Sequence, residues 1–301
     1  MIKIAFHSDY ILDLPAGHRF PMDKYELIPG QLLYEQSFKP ENFIKPVKMD
    51  PSLITKIHDE EYVKKTQTGT LGYREQRRIG FPWSPELISR EELITYGSIQ
   101  SALWAIENGV AFNVAGGTHH AYRNRGEGFC IYNDIAVAAQ YLLDHKKARQ
   151  IMVVDLDVHQ GNGTAHIFSG QPLVFTFSMH GKRNYPLRKE NSDLDIPLDD
   201  GASDSYYLEK LMHYLPKLIN RVKPDFIFYQ AGVDALNEDK LGKLSLSVQG
   251  LKNRDAFVFQ TLSQYNIPVA VSMGGGYAKR LRDIVEAHCN TFRMAGKIYD
   301  E

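Results

Sequence analysis

The sequence predicts an α/β fold: a three-layer single domain over residues 1–301, with a central, mostly parallel β-sheet covered by helices on both faces. Two observations carry the prediction. Short apolar runs recur at 2–6, 111–115, 151–157, 173–178, 225–231 and 267–273 without polar alternation, as parallel strands buried on both faces do. Segments of helical spacing lie between most of them, at 94–108, 134–147, 204–222, 247–264 and 277–298. Strand, helix and strand repeated in this way build a parallel sheet with both faces covered.

Local signals agree with these elements. Ser203 or Asp204 caps the helix from 204, and Pro224 ends the turn that follows it. The stretches 66–92 and 190–204 read as long surface loops. No repeat, low-complexity tract or linker divides the chain, so one domain is expected.

Composition narrows the function classes. The balance of 35 Lys and Arg against 36 Asp and Glu provides no global field for nucleic acid or anionic lipid, so neither direct nucleic-acid binding nor membrane attachment is expected. Two cysteines, Cys130 and Cys289, are too few for a disulfide framework. The apolar part of the first ten residues is too short for a signal segment, and no run reaches transmembrane length. A cytoplasmic protein is the expectation.

In an open parallel sheet, ligands bind beyond the carboxyl ends of the strands. Four runs end there in polar clusters: "GGTHHAYRNRGEGFCIYND", "DLDVHQGNG", "AGVDALNEDKLG" and "GGGYAKR". Alternation along a strand lets Asp155, Asp157 and His159 point the same way, with Asp157 and His159 nearest the end. That pair can share one ion, and Asp234 is the best-placed third ligand. Two carboxylates and an imidazole leave a position open for water, the arrangement of a catalytic site. Mixed oxygen and nitrogen ligands suit Zn²⁺, while Fe²⁺, Co²⁺ or Mn²⁺ could occupy the same set. Taken alone, the Asp-x-His pair would read as a solvated strand end.

Neighbouring His119 and His120 cannot both face one atom. One can act as general acid and base with the other behind, and Asp155 could supply a carboxylate backing. The glycines before Tyr277 let its phenol approach a ligand and donate to a developing oxyanion. Phe129 suits either a slot wall or the core, and Cys130 reads as a small buried hydrophobe.

With these residues assembled, the chain resembles the histone deacetylase superfamily, an arginase/deacetylase-like fold. The resemblance runs from "FHSDY" to the last helix through "GHRFPMDKY", "GGTHHA", "GFCIYND", "VDLDVHQGNGT", "QAGVDALNEDKLGKLSLS" and "GGGY" in order. The wording of "HQGNG" and "DKLGKLSLS" is most similar to class IV.

The resemblance implies that Asp157, His159 and Asp234 hold Zn²⁺, with Fe²⁺ possible. It makes His120 the general base and acid, His119 the partner imidazole backed by Asp155, and Tyr277 the oxyanion donor. It places Phe129, Tyr185, Gly128 and Gly275 in the acyl-lysine channel, and a structural K⁺ around Asp155, Asp157, His159, Ser178 and Met179. Asn162 stands where class I members carry an aspartate behind the second histidine, as is usual in classes II and IV. The family's rim aspartate has no evident counterpart in 66–92.

The implied reaction is hydrolysis of an N-acylated lysine or related acylated amine. Acetylpolyamines or small acylated metabolites are alternative substrates. An arginase-like two-metal site would want carboxylates where Gly161 and Leu236 stand. A non-catalytic acyl-amine binder would have lost a ligand or the tyrosine, and neither is lost.

Overall fold

The computed structural model describes residues 1–300. Its eight strands are β1 (Lys3–Ala5), β2 (Phe43–Ile44), β3 (Val110–Asn113), β4 (Ile151–Asp155), β5 (Val174–Gly181), β6 (Leu194–Leu198), β7 (Phe226–Gln230) and β8 (Val269–Ser272). They form one sheet in the order β2-β1-β3-β8-β7-β4-β5-β6. Every pairing is parallel, so the sheet is more uniform than expected.

The helices are α1 (Lys24–Tyr34), α2 (Ser52–Thr55), α3 (Glu60–Thr68), α4 (Tyr73–Ile79), α5 (Pro85–Asn108), α6 (Asp134–Asp144), α7 (Asn162–Phe168), α8 (Asp204–Val222), α9 (Val248–Gln264) and α10 (Leu281–Tyr299). All residues of β3, β4, β7 and β8 are buried, which is why their sequences are apolar throughout. The outer strand β6 is mostly part-exposed and contains Pro197, a residue suited to an edge because it donates no ladder hydrogen bond.

The chain leaves β3 on one side of the sheet centre, builds β4 to β6 on the other, and returns through β7 and β8 to fill the gap. The four strands followed by polar clusters are therefore consecutive neighbours, β3-β8-β7-β4. Their carboxyl-end loops must meet at one place.

Several expected boundaries are corrected. The stretch 66–92 is not a long loop: it holds the end of α3, all of α4 and the first turns of α5. Helix α5 starts nine residues before the expected 94, because Ser84 accepts a hydrogen bond from the Leu87 amide at 3.1 Å and Pro85 occupies the first turn. The stretch 190–204 contains β6, held by Asp193, which accepts hydrogen bonds from the Thr176 amide (2.7 Å) and hydroxyl (2.9 Å). Helix α10 starts at Leu281 rather than 277, since the Tyr277 amide is spent on Asp239, at 2.6 Å. At α8, Ser203 is the N-cap residue without a side-chain cap bond, and Asp204 instead accepts from the amide and hydroxyl of Ser247 before α9.

Candidate active site

Strand β4 ends at Asp155, so strand alternation does not carry on to Asp157 and His159. A tight turn orients them instead: Asp155 accepts from the Asp157 amide at 3.2 Å, and Asp157 accepts from the His159 amide at 3.0 Å. Asp155 itself stays outside the cluster formed by Asp157, His159 and Asp234. Its other oxygen lies 2.7 Å from Nδ1 of His119.

Asp234, on the loop after β7, completes the cluster. Nδ1 of His159 lies 3.1 Å from oxygens of both Asp157 and Asp234. All three side chains are buried, and one candidate ligand atom from each lies within 4.8 Å of the others. The second oxygens are held by backbone: the Gly275 amide donates to Asp157 at 2.8 Å and the Val158 amide to Asp234 at 2.9 Å. A Cβ at position 275 would sit 1.9 Å from Asp234, so only glycine permits this approach.

The donor set fits a divalent cation. Two carboxylates are packed together away from water, and burial with the Asp157 charge raises the pKa of Asp234. Although burial opposes it, the hydrogen bonds and charges of the two aspartates raise His159 to about 10. Such a cage calls for positive charge, and its three donors leave coordination positions open.

The two histidines of the pair sit in different environments. His119 is raised to about 9: burial pulls it down, and the charges of Asp155 and Asp157 outweigh that effect. His120 is driven well below its ordinary range by burial and by the neighbouring charges of His119 and His159. Its Nδ1 donates to Oδ1 of Asn162 at 2.6 Å, which leaves Nε2 with its lone pair. Asn162 in turn donates to the Tyr122 hydroxyl at 3.0 Å, and that hydroxyl to Glu190 at 3.0 Å.

Two connected cavities approach the cluster. The inner one, about 40 Å³, is bounded by Asp157, His159, Asp234, Tyr277 and the glycine loop before the histidines. The outer one is about 280 Å³, and both share His120, Gly128, Phe129, His159 and Tyr277. Phe129 and Tyr277 have ring centroids 6.1 Å apart, while Tyr185 stands edge-on to His120 at 4.9 Å. Gly128 has φ +58°, and a Cβ there would lie 2.6 Å from the His120 ring. Cys130 is buried, and desolvation lifts its thiol well above the usual range, so it is no nucleophile.

Asp155 and Ser178 are paired in the sheet register, with Asp157, His159 and Met179 following on the same two chain segments. Ser178 Oγ lies 2.9 Å from Nδ1 of His180.

Supporting residues were not singled out from the sequence. Asp134, opening α6, accepts from the amides of Gly117 (3.0 Å) and Thr118 (2.8 Å) and so holds the loop before the histidines. Buried Lys24 donates to the Gly274 carbonyl at 2.8 Å, next to the glycine that supports Asp157. Buried Arg254 pairs with Asp255 at 2.8 Å and donates to the Gly232 carbonyl at 2.6 Å, bracing the loop that carries Asp234. A lysine or arginine on a helix gives no advance notice of burial. The acidic run from 190 to 204 does not face the cavities: Asp195 accepts from Gln160 at 2.8 Å, and Asp200 pairs with Arg183 at 2.8 Å.

The convergence of four loops from adjacent parallel strands on a buried Asp-His-Asp cluster, below a narrow aromatic passage, defines an α/β protein built around a metal-type centre. The chain belongs to the histone deacetylase domain family, whose model matches residues 18–292. It is 44% identical over 296 residues to an uncharacterised protein of Picosynechococcus sp., covering 98% of this chain and 99% of that one. It is 26% identical over 309 residues to histone deacetylase 2 of Arabidopsis thaliana, covering 99% and 80%. A crystal structure of an HDAC homologue complexed with SAHA superposes with a TM-score of 0.85 at 23% identity, covering 98% and 84%, and establishes the shared fold.

Proposed function

We propose that this chain is a metal-dependent amidohydrolase that removes the acyl group from N-acylated lysine or related acylated amines. The observation that carries the reading is the placement of His120: neutral, with Nδ1 committed to Asn162, and lining the same inner cavity as the Asp157, His159 and Asp234 cluster. A base with its lone pair free stands beside a centre suited to a cation.

Asp157, His159 and Asp234 would hold the ion, Zn²⁺ or else Fe²⁺. When bound, it supplies Lewis acidity to the acyl carbonyl and to a water. His120 takes the proton of the attacking water at Nε2. Tyr277 donates its hydroxyl to the oxyanion that develops on the acyl carbonyl. Burial raises Tyr277 well above the ordinary phenol range, with the Asp234 and Asp157 charges adding to the effect, so it remains a donor. His119, its Nδ1 held by Asp155 and its pKa raised, against the pull of burial, by the charges of Asp155 and Asp157, stands next to the reacting centre, and a histidine returns a proton to the leaving amine. Phe129, Tyr185 and Gly128 line the passage for the aliphatic part of the substrate.

The resemblance of "HQGNG" and "DKLGKLSLS" to class IV supports assignment to that branch, and asparagine at 162 sets the chain apart from class I without separating class II from class IV. A two-metal reading has no support in the geometry: Gly161 and Leu236 offer no carboxylate, and the three-residue cluster stands alone among the described residues. A structural K⁺ beside Asp155 and Ser178, a single-domain organisation and a cytoplasmic location complete the proposal. No helix among the described residues is long and apolar enough to cross a membrane.

The test is hydrolysis of a panel of acetyl-lysine, longer acyl-lysine and acetylpolyamine substrates by the native chain and His120→Ala. Release of the acid from any member, lost in the variant, supports the assignment. No turnover across the panel by metal-loaded protein would contradict it.

A further inference from the structure

The outer cavity has a charge of one sign. Its charged side chains beyond the metal-type cluster and its histidines are Arg19, Arg77 and Arg78, and no carboxylate among the described residues lines it. Glu127, which accepts from the Tyr185 hydroxyl behind the wall, is paired with Arg125 at 3.0 Å. All three arginines are exposed. None takes part in an ion pair or side-chain hydrogen bond among the described residues. The one acid of α4, Glu75, is turned away: its carboxylate accepts from the Gly72 amide at 2.7 Å and lies 4.0 Å from Lys65.

These arginines stand on a fixed frame. Arg77 and Arg78 occupy the last turn of α4, and that end is tied to the passage by the Gly128 amide donating to the Arg78 carbonyl (3.0 Å) and the Phe129 amide to the Ile79 carbonyl (2.7 Å). Arg19 has its guanidinium carbon 5.9 Å from the Phe129 ring centroid. Its neighbour His18 bonds the Gly80 carbonyl at 2.9 Å. The positive charge thus gathers on the Phe129 side of the mouth. A favourable helix C-terminus accounts for Arg77 and Arg78 but not for Arg19 on a separate segment.

We infer that the outer cavity selects acylated amines whose amine half carries an anionic group, a carboxylate or phosphate, beside the channel mouth. The inference rests on the deacylase reading for its orientation: the acyl group is delivered to the inner cavity, so whatever is attached to the amine must leave through the outer one. A cationic substrate such as an acetylpolyamine meets like charge there, and an anionic one meets three unpaired guanidiniums that suit oxyanions. The same chemistry comes from acidic residues flanking an acyl-lysine or from a small anionic acylamine.

The experiment compares kcat/KM for acetyl-lysine peptides flanked by glutamates or by lysines, and for N-acetyl-aminohexanoate against its neutral amide. Binding of the same ligands is measured by calorimetry. Exposed charge pairs are individually weak, but three acting together should favour each anionic member by about tenfold, with the preference shrinking as salt rises. In the Arg19→Gln, Arg77→Gln, Arg78→Gln variant the ratio should fall toward one. Single Arg77→Gln and Arg19→Gln variants should give intermediate ratios if the triple variant folds poorly. A preference confined to the peptides makes the source an acidic protein segment; one shared by the small pair makes it a small anionic metabolite. Turnover with equal or reversed preference overturns this inference and leaves the deacylase assignment standing. Arginine-dependent binding of anionic members without turnover supports anion selection while contradicting the assignment. Neither turnover nor binding overturns both.

Discussion

Nδ1 of His120 lies 2.6 Å from Oδ1 of Asn162, and the amide nitrogen of the same asparagine lies 3.0 Å from the Tyr122 hydroxyl. The second contact fixes which way the amide points, and the first then fixes the tautomer of the imidazole. A neutral acceptor at 162 orients His120 without adding negative charge. Asn162→Asp should therefore raise the basicity of His120 and move the acidic limb of the kcat/KM profile to higher pH. Asn162→Ala, which removes the acceptor, should lower kcat by about 10- to 100-fold. An unmoved acidic limb in Asn162→Asp would contradict this role.

Tyr277 lines the inner cavity, and its hydroxyl makes no hydrogen bond among the described residues. Tyr277→Phe keeps the ring against Phe20 and Phe129 and removes only the donor. Turnover should drop by about 10²-fold or more, with KM little changed. Near-normal turnover would show that the oxyanion is stabilised elsewhere.

Lys24 is buried, and burial lowers its pKa to about 8 against the opposing charges of Asp234 and Asp157. Lys24 forms no ion pair among the described residues, and removing its ammonium leaves the Gly274 carbonyl without its donor. Lys24→Met should therefore lower the unfolding free energy measured in urea by about 1–3 kcal/mol. Its turnover should also fall by about tenfold, because the Gly274 carbonyl loses the donor that fixes the loop supporting Asp157. Unaltered turnover would assign Lys24 to folding alone.

Arg254 and Asp255 are both fully buried, and Asp255 also accepts from Tyr229 (2.5 Å) and Thr291 (2.7 Å). Arg254→Met leaves that carboxylate without its countercharge and should destabilise the fold by about 3–5 kcal/mol. Chemical denaturation measures the loss directly.

His58 is held neutral: burial lowers its pKa from 6.5 to about 4. One ring nitrogen contacts the Tyr122 carbonyl and the other accepts from the Asn133 amide, each at 2.9 Å. As pH falls below 6.5 the unfolded chain takes up a proton that the folded chain refuses until about 4. Stability is thus complete above pH 6.5 and declines toward pH 4, with a contribution from this residue of about 3 kcal/mol. Urea unfolding between pH 7 and 4.5 should show that slope, reduced by about one proton in His58→Gln.

The central strands and the site were legible for one physical reason. Parallel strands buried on both faces must be apolar, so Asp155, Asp157, His159 and Asp234 stand out where those runs end. The four clusters meet because β3, β8, β7 and β4 are neighbours, an order that no local pattern encodes. Some of the elements missed were short or marginal, with seven residues in α4, two in β2 and a partly exposed edge strand in β6. But α1, eleven residues with Pro29 inside it, and α3, nine residues, were missed as well. The early start of α5 was written in "SPEL", where Ser84 caps and Pro85 fits the first turn. Asp134, Lys24 and Arg254 act through partners distant in sequence, so spacing could not reveal them.

Metal binding by Asp234 variants tests the central claim most directly. Elemental analysis of the purified native chain, loaded with Zn²⁺ and dialysed, should give one ion per chain, with acetyl-lysine peptide hydrolysis rising in proportion to occupancy. Asp234→Ala should retain neither ion nor activity. Two ions per native chain, or full hydrolysis by the metal-free Asp234→Ala protein, would contradict a single Asp157, His159 and Asp234 centre as the seat of the reaction.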